Sequence, residues 1–367
     1  MAWVVLGVVT LLAWCNGSND NFKGVSTLYG SGRASYRTAL AVATVAQLAG
    51  SLLTLVLAAG LVKTFSAKGL VPDAVATSPL FLCSVASGAG LTVLLATFWG
   101  LPVSTTHGLT GALIGAGLAT GAGVNVAVLG RDFGLPLLLS PILAVAITSA
   151  LYPIARRARA GLGITRESCV CLEREYVPLR IAMAGGPEVA AKVQLALTAG
   201  TSCERYSGVV VGLSAQRLLD SLHFVSAAAV CFARGLNDTP KIVALLIAAK
   251  ALSPGIGLPL VGLAMAAGGL IGARRVAETM ARKITPLNAG QGFIASLTTA
   301  GLVIAASRFG LPVSTTHVAT GGIFGIGAVT RQARPRTVVA ILTAWVTTLP
   351  LGAALGAASV LVLRALT

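Results

Sequence analysis

Apolar runs long enough to cross a bilayer recur along this 367-residue chain, at residues 36–62, 79–99, 135–155, 287–307 and 336–363. A helix needs about 20 such residues to span a hydrocarbon core of about 30 Å. Only 10% of the residues are charged and 55% are hydrophobic, against roughly 25% charged in a soluble domain. These runs exclude a soluble enzyme and identify a polytopic helical membrane protein, multi-pass in a bacterial-type inner or plasma membrane.

Within this apolar chain one pair of polar motifs occurs twice in the same order. Asn19-Asp20 is followed by Gly100-Leu101-Pro102-Val103-Ser104-Thr105-Thr106-His107. Asn237-Asp238 is followed by an identical block, Gly310-Leu311-Pro312-Val313-Ser314-Thr315-Thr316-His317. The offsets, 218 and 210 residues, make the two halves one unit duplicated with small length changes. Carboxylates are costly in hydrocarbon and persist there where they handle ions or substrate. Their duplication points to a solute site at the repeat interface.

The expected architecture is all-α: two repeats of about five membrane elements each, residues 1–155 and 222–367, separated by a polar extramembrane linker at 156–221. An odd number of crossings per half makes the repeats inverted. The first element of each half is expected to be broken, at residues 16–23 and at 235–241, and a short re-entrant-type element follows each Ser-Thr-Thr start. The apolar N-terminal stretch lacks a basic n-region and reads as the first membrane half-helix rather than a cleaved signal. The linker region, expected to be partly helical, holds six of the eleven acidic residues: Glu167, Glu173, Glu175, Glu188, Glu204 and Asp220. Arg156, Arg157 and Arg159 beside it favour the cytoplasmic side.

The net charge of +16 comes from short basic clusters at the ends of apolar runs, which set orientation. No basic stripe with interleaved aromatics supports nucleic-acid binding. The six cysteines are scattered and give neither a zinc pattern nor a disulfide framework. No nucleotide-binding motif is present to support primary pumping.

In each Ser-Thr-Thr block, glycine and proline stop one helix and a hydroxyl caps the next. A helix start offers free N–H groups and the positive end of its dipole, which suits an oxyanion. Asp20 and Asp238 can bind a sodium ion, carry a proton, or accept a hydrogen bond from a protonated substrate. Phosphate keeps a proton near neutral pH and sulfate does not, so a carboxylate acceptor favours phosphate. His107 and His317 read as orienting groups for the hydroxyl loops or as proton relays. His223 has no repeat partner and reads as structural. Gln47, Gln291 and Asn288 are expected to bond between helices.

The paired Asn-Asp segments and Gly-Leu-Pro-Val-Ser-Thr-Thr-His blocks resemble the inorganic phosphate transporter (PiT) family, whose signature is GANDVANA in each half. The resemblance implies an inverted-repeat carrier that moves inorganic phosphate with sodium or protons, as a homodimer in the lipid bilayer, with no cofactor beyond the coupling ion. Carried over by position, the substrate site comprises Asp20, Ser104, Thr105, Thr106, Asp238, Ser314, Thr315 and Thr316, and Asn19 and Asn237 help to bind the coupling cation. The chain departs from the signature at Lys23 and Lys241, which stand where the family has its second asparagine. An ammonium there takes the place of a cation, contacts the anion, or simply reaches an interface or neutralises the nearby aspartate. The alternatives are a carrier of sulfate or another tetrahedral oxyanion, a passive anion channel, and an intramembrane hydrolase using Ser104 or Ser314.

Overall fold

A computed structural model describes residues 2–67, 69–165, 168–180, 188–199 and 209–366. The chain divides into two compact units, Met1–Ala150 with His223–Thr367, and Leu151–Leu222. Glu167 and Glu204 lie outside the described residues.

The first unit is helical. Its first half carries α1 (Ala2–Asp20), α2 (Tyr36–Leu52), α3 (Pro79–Phe98), α4 (Thr105–Ala119) and α5 (Leu135–Gly161). The second carries α6 (Ala215–Ala248), α7 (Pro254–Gly272), α8 (Ala289–Arg308), α9 (Thr315–Thr330) and α10 (Pro335–Leu366). Among the described residues, seven helices are long and apolar enough to cross a membrane: α1, α3, Val126–Gly161, α6, α7, α8 and α10. Away from the cavity between them, α5 and α10 expose Leu139, Leu143, Val339 and Leu361, as helices in contact with lipid tails do.

The duplicated block builds the same stop and start in both halves. Gly100 and Gly310 adopt φ of +66° and +69°, which a residue without Cβ reaches at no steric cost. Each closes a Schellman motif: Leu101 N donates to Ala96 O and Gly100 N to Thr97 O, and Leu311 N donates to Ala306 O and Gly310 N to Ser307 O. After the proline, Ser104 and Ser314 turn extended and accept from the amides of His107 and His317, both at 3.1 Å. The α4 and α9 helices thus begin at Thr105 and Thr315, with their first amides pointing away from the helix.

Two helix crossings are built from positions 218 residues apart. Gly17 on α1 lies against the Met265 carbonyl of α7, and Gly268 against that of Trp14. Gly235 on α6 lies against the Gln47 carbonyl of α2, and Gly50 against that of Phe232. A Cβ at any of the four would collide with backbone, so glycine sets these close approaches. They interlock the halves, since α1 packs on a helix of the second and α6 on a helix of the first.

Four expectations for the helical unit differ from the structure. The first break lies after the Asn-Asp pair: α1 runs through Asp20, and a turn leads into a short helix at Ser26–Gly30. The second break is absent, since α6 continues through Pro240. Proline suits helical φ and costs one hydrogen bond, which a helix packed on both sides absorbs. Residues 36–62 do not form one span, because α2 ends at Leu52 and two short helices, Thr54–Leu57 and Ala59–Phe65, follow. Asn288 and Gln291 form a capping box at the start of α8, whereas Gln47 does reach across, to the carbonyl of Gly262.

The second unit carries a three-stranded antiparallel sheet, β1 (Ser168–Arg180), β2 (Glu188–Ala199) and β3 (Val209–Ser214), in the order β2-β1-β3. Ser168 pairs with Ala199 and Cys169 with Ser214. Among the described residues, helix enters the linker only at its ends, from α5 and α6.

Candidate functional site

Five charged side chains are buried among the described residues: Asp20, Lys23, Arg234, Asp238 and Lys241, each 4% exposed or less. All five belong to one cluster where the ends of α1 and the middle of α6 meet the starts of α4 and α9. Asn16 sits at its centre. Its Nδ2 donates to Thr105 Oγ1 (2.9 Å), to Asp20 Oδ2 (3.1 Å) and to Asp238 Oδ2 (3.4 Å). The two aspartates, 218 residues apart in sequence, thus lie across one amide from each other.

Each lysine is caged by oxygens of its own half and one threonine hydroxyl of the other. Lys23 Nζ donates to Asn19 Oδ1, to the Val103 carbonyl and to Thr316 Oγ1, each at 2.7 Å, and contacts Asp20 Oδ1. Lys241 Nζ donates to the Val313 carbonyl and to Thr106 Oγ1, both at 2.7 Å, and lies 3.5 Å from Asp238 Oδ1. The two threonines hand these contacts on: Thr316 Oγ1 donates to the Val103 carbonyl and Thr106 Oγ1 to that of Val313. Each lysine therefore ties its own Asn-Asp segment to both Ser-Thr-Thr loops. Carbonyl, carboxylate, amide and hydroxyl oxygens form the shell that a small hard cation also takes, and here an ammonium fills it.

The remaining sequence-named residues fall in or beside this cluster. Asn19 Nδ2 donates to Thr97 Oγ1 and to the Leu101 carbonyl, and Asn237 Nδ2 to Asp238 Oδ1 and to the Val313 carbonyl. Thr105 Oγ1 donates to Asp20 Oδ2 at 3.1 Å. Thr315 is buried at the equivalent helix start. Ser104 and Ser314 are spent as caps. Ser104 Oγ also meets His107 Nδ1 at 3.0 Å, so that histidine orients its loop. The His107 and His317 rings lie 4.3 Å apart, and His317 stacks on Trp345. Among the described residues no three histidine, cysteine or carboxylate side chains gather as a metal site would need.

Arg234, Asn16 and Asn21 are participants that the motif search misses, and Arg234 is the charged one. Its Nη2 donates to Asn16 Oδ1 at 2.6 Å, its Nη1 to Asn21 Oδ1 at 3.0 Å, and its Nε lies 3.7 Å from Asp238 Oδ2. The available signal was an arginine in an apolar run, four residues before an intramembrane aspartate.

The phosphate transporter family profile matches residues 16–356. A protein of Pyrococcus furiosus, provisionally named a phosphate permease, is 26% identical over 92% of this chain and 90% of its own length. Inorganic phosphate transporter 2-1 of the Arabidopsis thaliana chloroplast is 26% identical over 94% of this chain and 69% of its own. A solved structure titled the sodium-dependent phosphate transporter superposes with a TM-score of 0.77 at 19% identity, covering 100% of this chain and 99% of that one. That likeness extends the shared fold to the whole length. A profile match that spans both halves of this multi-pass helical protein places the chain in the phosphate transporter family.

Proposed function

We propose that this chain is a secondary transporter of inorganic phosphate whose driving ion is the proton. The observation that carries the cargo is the convergence of Asp20 and Asp238 on Asn16, beside the starts of α4 and α9. Amides at two helix starts and the cationic side chains offer donors for phosphate oxygens. The two carboxylates accept the hydrogens that phosphate retains and sulfate lacks, and a sulfate would leave them unpaired against like charge.

The coupling ion follows from the lysines. In a carrier that uses sodium, an oxygen shell must be open to the ion. Here the ammonium groups of Lys23 and Lys241 sit within those shells. Sodium dependence belongs by title to the solved relative, and the two lysines argue that this chain departs from it. The carrier works as a homodimer, which light scattering of the detergent-solubilised protein checks.

The test is uptake of radiolabelled phosphate and sulfate into proteoliposomes, with sodium and proton gradients imposed separately. The expected result is accumulation of phosphate on an inward proton gradient without sodium. Accumulation of sulfate but not phosphate would overturn the cargo. Equilibration without accumulation under either gradient would make the protein a channel.

A further inference from the structure

We propose that His223, Thr27 and Ser296 form a file that carries the coupling proton to Lys23 and Asp20, from one half of the molecule only. The proposal rests on the proton-driven reading and adds the route by which the proton arrives. His223 Nε2 lies 3.0 Å from Thr27 Oγ1, and Thr27 Oγ1 lies 2.9 Å from Ser296 Oγ. Thr27 and Ser296 line the crevice beside Lys23, together with Ser26 and Thr299, and Lys23 Nζ contacts Asp20 Oδ1. All of these polar side chains are buried. His223 stands about 20 Å before Asp238 along α6, at about 1.5 Å rise per residue, so the file leads away from the charged cluster.

Each link of the file can run in either direction. A hydroxyl both accepts and donates, and an imidazole nitrogen does one or the other according to the tautomer. Such a series passes a proton when each member accepts one and releases its own. The imidazole takes a proton on Nδ1 and gives up the one on Nε2 to Thr27, which gives its own to Ser296. Ser26 and Thr299 donate to the carbonyls of Lys23 and Ala295, which leaves their oxygens to accept from a water in the crevice. The volume of about 10 Å³ is close to the least that holds one water, and the four hydroxyls supply the partners it needs. That water takes the proton of Ser296 and hands one to Lys23 as the ammonium protonates Asp20. One proton enters at His223, one ends on the carboxylate, and the groups between are left as they were.

The repeat-related positions are all apolar. The 218-residue offset pairs His223 with Val5, Ser26 with Ala244 and Thr27 with Leu245, and the 210-residue offset pairs Ser296 with Ala86 and Thr299 with Ala89. These five counterparts are buried in the main apolar cluster. Room for the imidazole is also built in one half alone. A Cβ at Gly292 would lie 2.5 Å from the His223 Cε1 and Nε2, and the position 210 residues earlier is Leu82. Polar groups are costly to bury, and packing alone has an apolar solution in the other half. The polar file is therefore kept for what it conducts.

The experiment compares two modes of transport by the full-length protein in proteoliposomes. One is accumulation of radiolabelled phosphate on an imposed proton gradient, and the other is exchange of internal for external phosphate at equal pH. Exchange returns the carrier loaded and needs no net delivery of protons. The variants are His223→Gln, Thr27→Val and Ser296→Ala, with Thr27→Ser as the control that keeps its hydroxyl. Wild type is expected to accumulate phosphate and to draw protons in with it, read by a pH-sensitive dye. The three file variants are expected to lose most of the accumulation and of the proton signal while exchanging and binding phosphate like wild type. Thr27→Ser keeps both modes. A merely structural role lowers exchange and accumulation together, and that pattern in the file variants overturns the proposal. Accumulation at the wild-type rate in His223→Gln or in Ser296→Ala overturns it as well, so one variant that fails to fold leaves the others to decide. Wild-type accumulation that moves no protons overturns the proton-driven reading itself, whereas failure of the file alone leaves wild-type coupling intact.

Discussion

Asp20 and Asp238 are the only buried carboxylates among the described residues, and each holds a lysine, so removing one changes both charge and contacts. Deleting one partner of a buried pair costs about 3–5 kcal/mol when the other is left unpaired. Asparagine keeps an oxygen toward the lysine and removes only the charge. Asp20→Asn and Asp238→Asn are therefore expected to insert and purify as folded protein, judged by gel filtration, while phosphate uptake in proteoliposomes is abolished. Uptake at the wild-type rate in either variant would remove that aspartate from the site. Most residues of the cluster were legible in the sequence because they come in pairs: Asp20, Asn19, Lys23 and the threonines each repeat at a fixed offset. Arg234 was not, because its counterpart is Asn16, and a search for identical residues passes over positions where the halves differ. The donors were also less free than their types suggested. Thr106 and Thr316 each accept from a lysine of the opposite motif, a cross-connection that exists only once the halves interlock.

The secondary-structure elements repeat faithfully where glycine and proline dictate the backbone and diverge where packing does. The Schellman turns at Gly100 and Gly310 and the serine caps that follow were readable from eight residues, because φ above zero and a missing N–H leave little choice. The continuity of α6 was not, since Pro240 is tolerated only through neighbours distant in sequence. The sheet was missed for another reason: Val189, Ala191, Val193, Leu195 and Leu197 alternate with period two, but the polar linker around them drew the reading toward helix. The elements also differ in what lines them. A crevice of about 10 Å³ beside Lys23 is lined by Ser26, Thr27, Ser296 and Thr299, close to the least space that holds one water. The repeat-related positions are Ala244, Leu245, Ala86 and Ala89, all buried in the main apolar cluster. Water therefore reaches Lys23 more readily than Lys241. In a parent lacking the six native cysteines, a cysteine at Ser296 is expected to be labelled by oxidation with hydrogen peroxide, a probe little larger than water, while one at Ala86 stays inert. Equal labelling at both positions would sink the asymmetry.

For the whole molecule, the proposed proton coupling rests on the two lysines, because each binds its own half to both hydroxyl loops at once. An ammonium tethered to the chain cannot leave with the cargo. On the proposed reading, a carrier that fills its cation shells this way takes no sodium across, and the proton is left as the driving ion. Returning both positions to the family residue, Lys23→Asn with Lys241→Asn, opens the two shells formed by the Val103 and Val313 carbonyls and the threonine hydroxyls. Sodium-free uptake is then expected to weaken by about tenfold or more, since each lysine forfeits charge-assisted bonds worth about 1.5–3 kcal/mol apiece, and sodium should restore part of it. Each single substitution leaves one half caged and the other open, with an aspartate unpaired on the open side. Residues that share one network are not additive, so the single variants are expected to transport worse than the double one. The measurement is the initial rate of phosphate uptake against sodium concentration, at a fixed proton gradient, for wild type, both single variants and the double. A steep, saturable sodium requirement in the wild type would refute the substitution of ammonium for sodium. So would a double variant that transports at the wild-type rate with sodium absent, because the lysines would then hold nothing that transport needs.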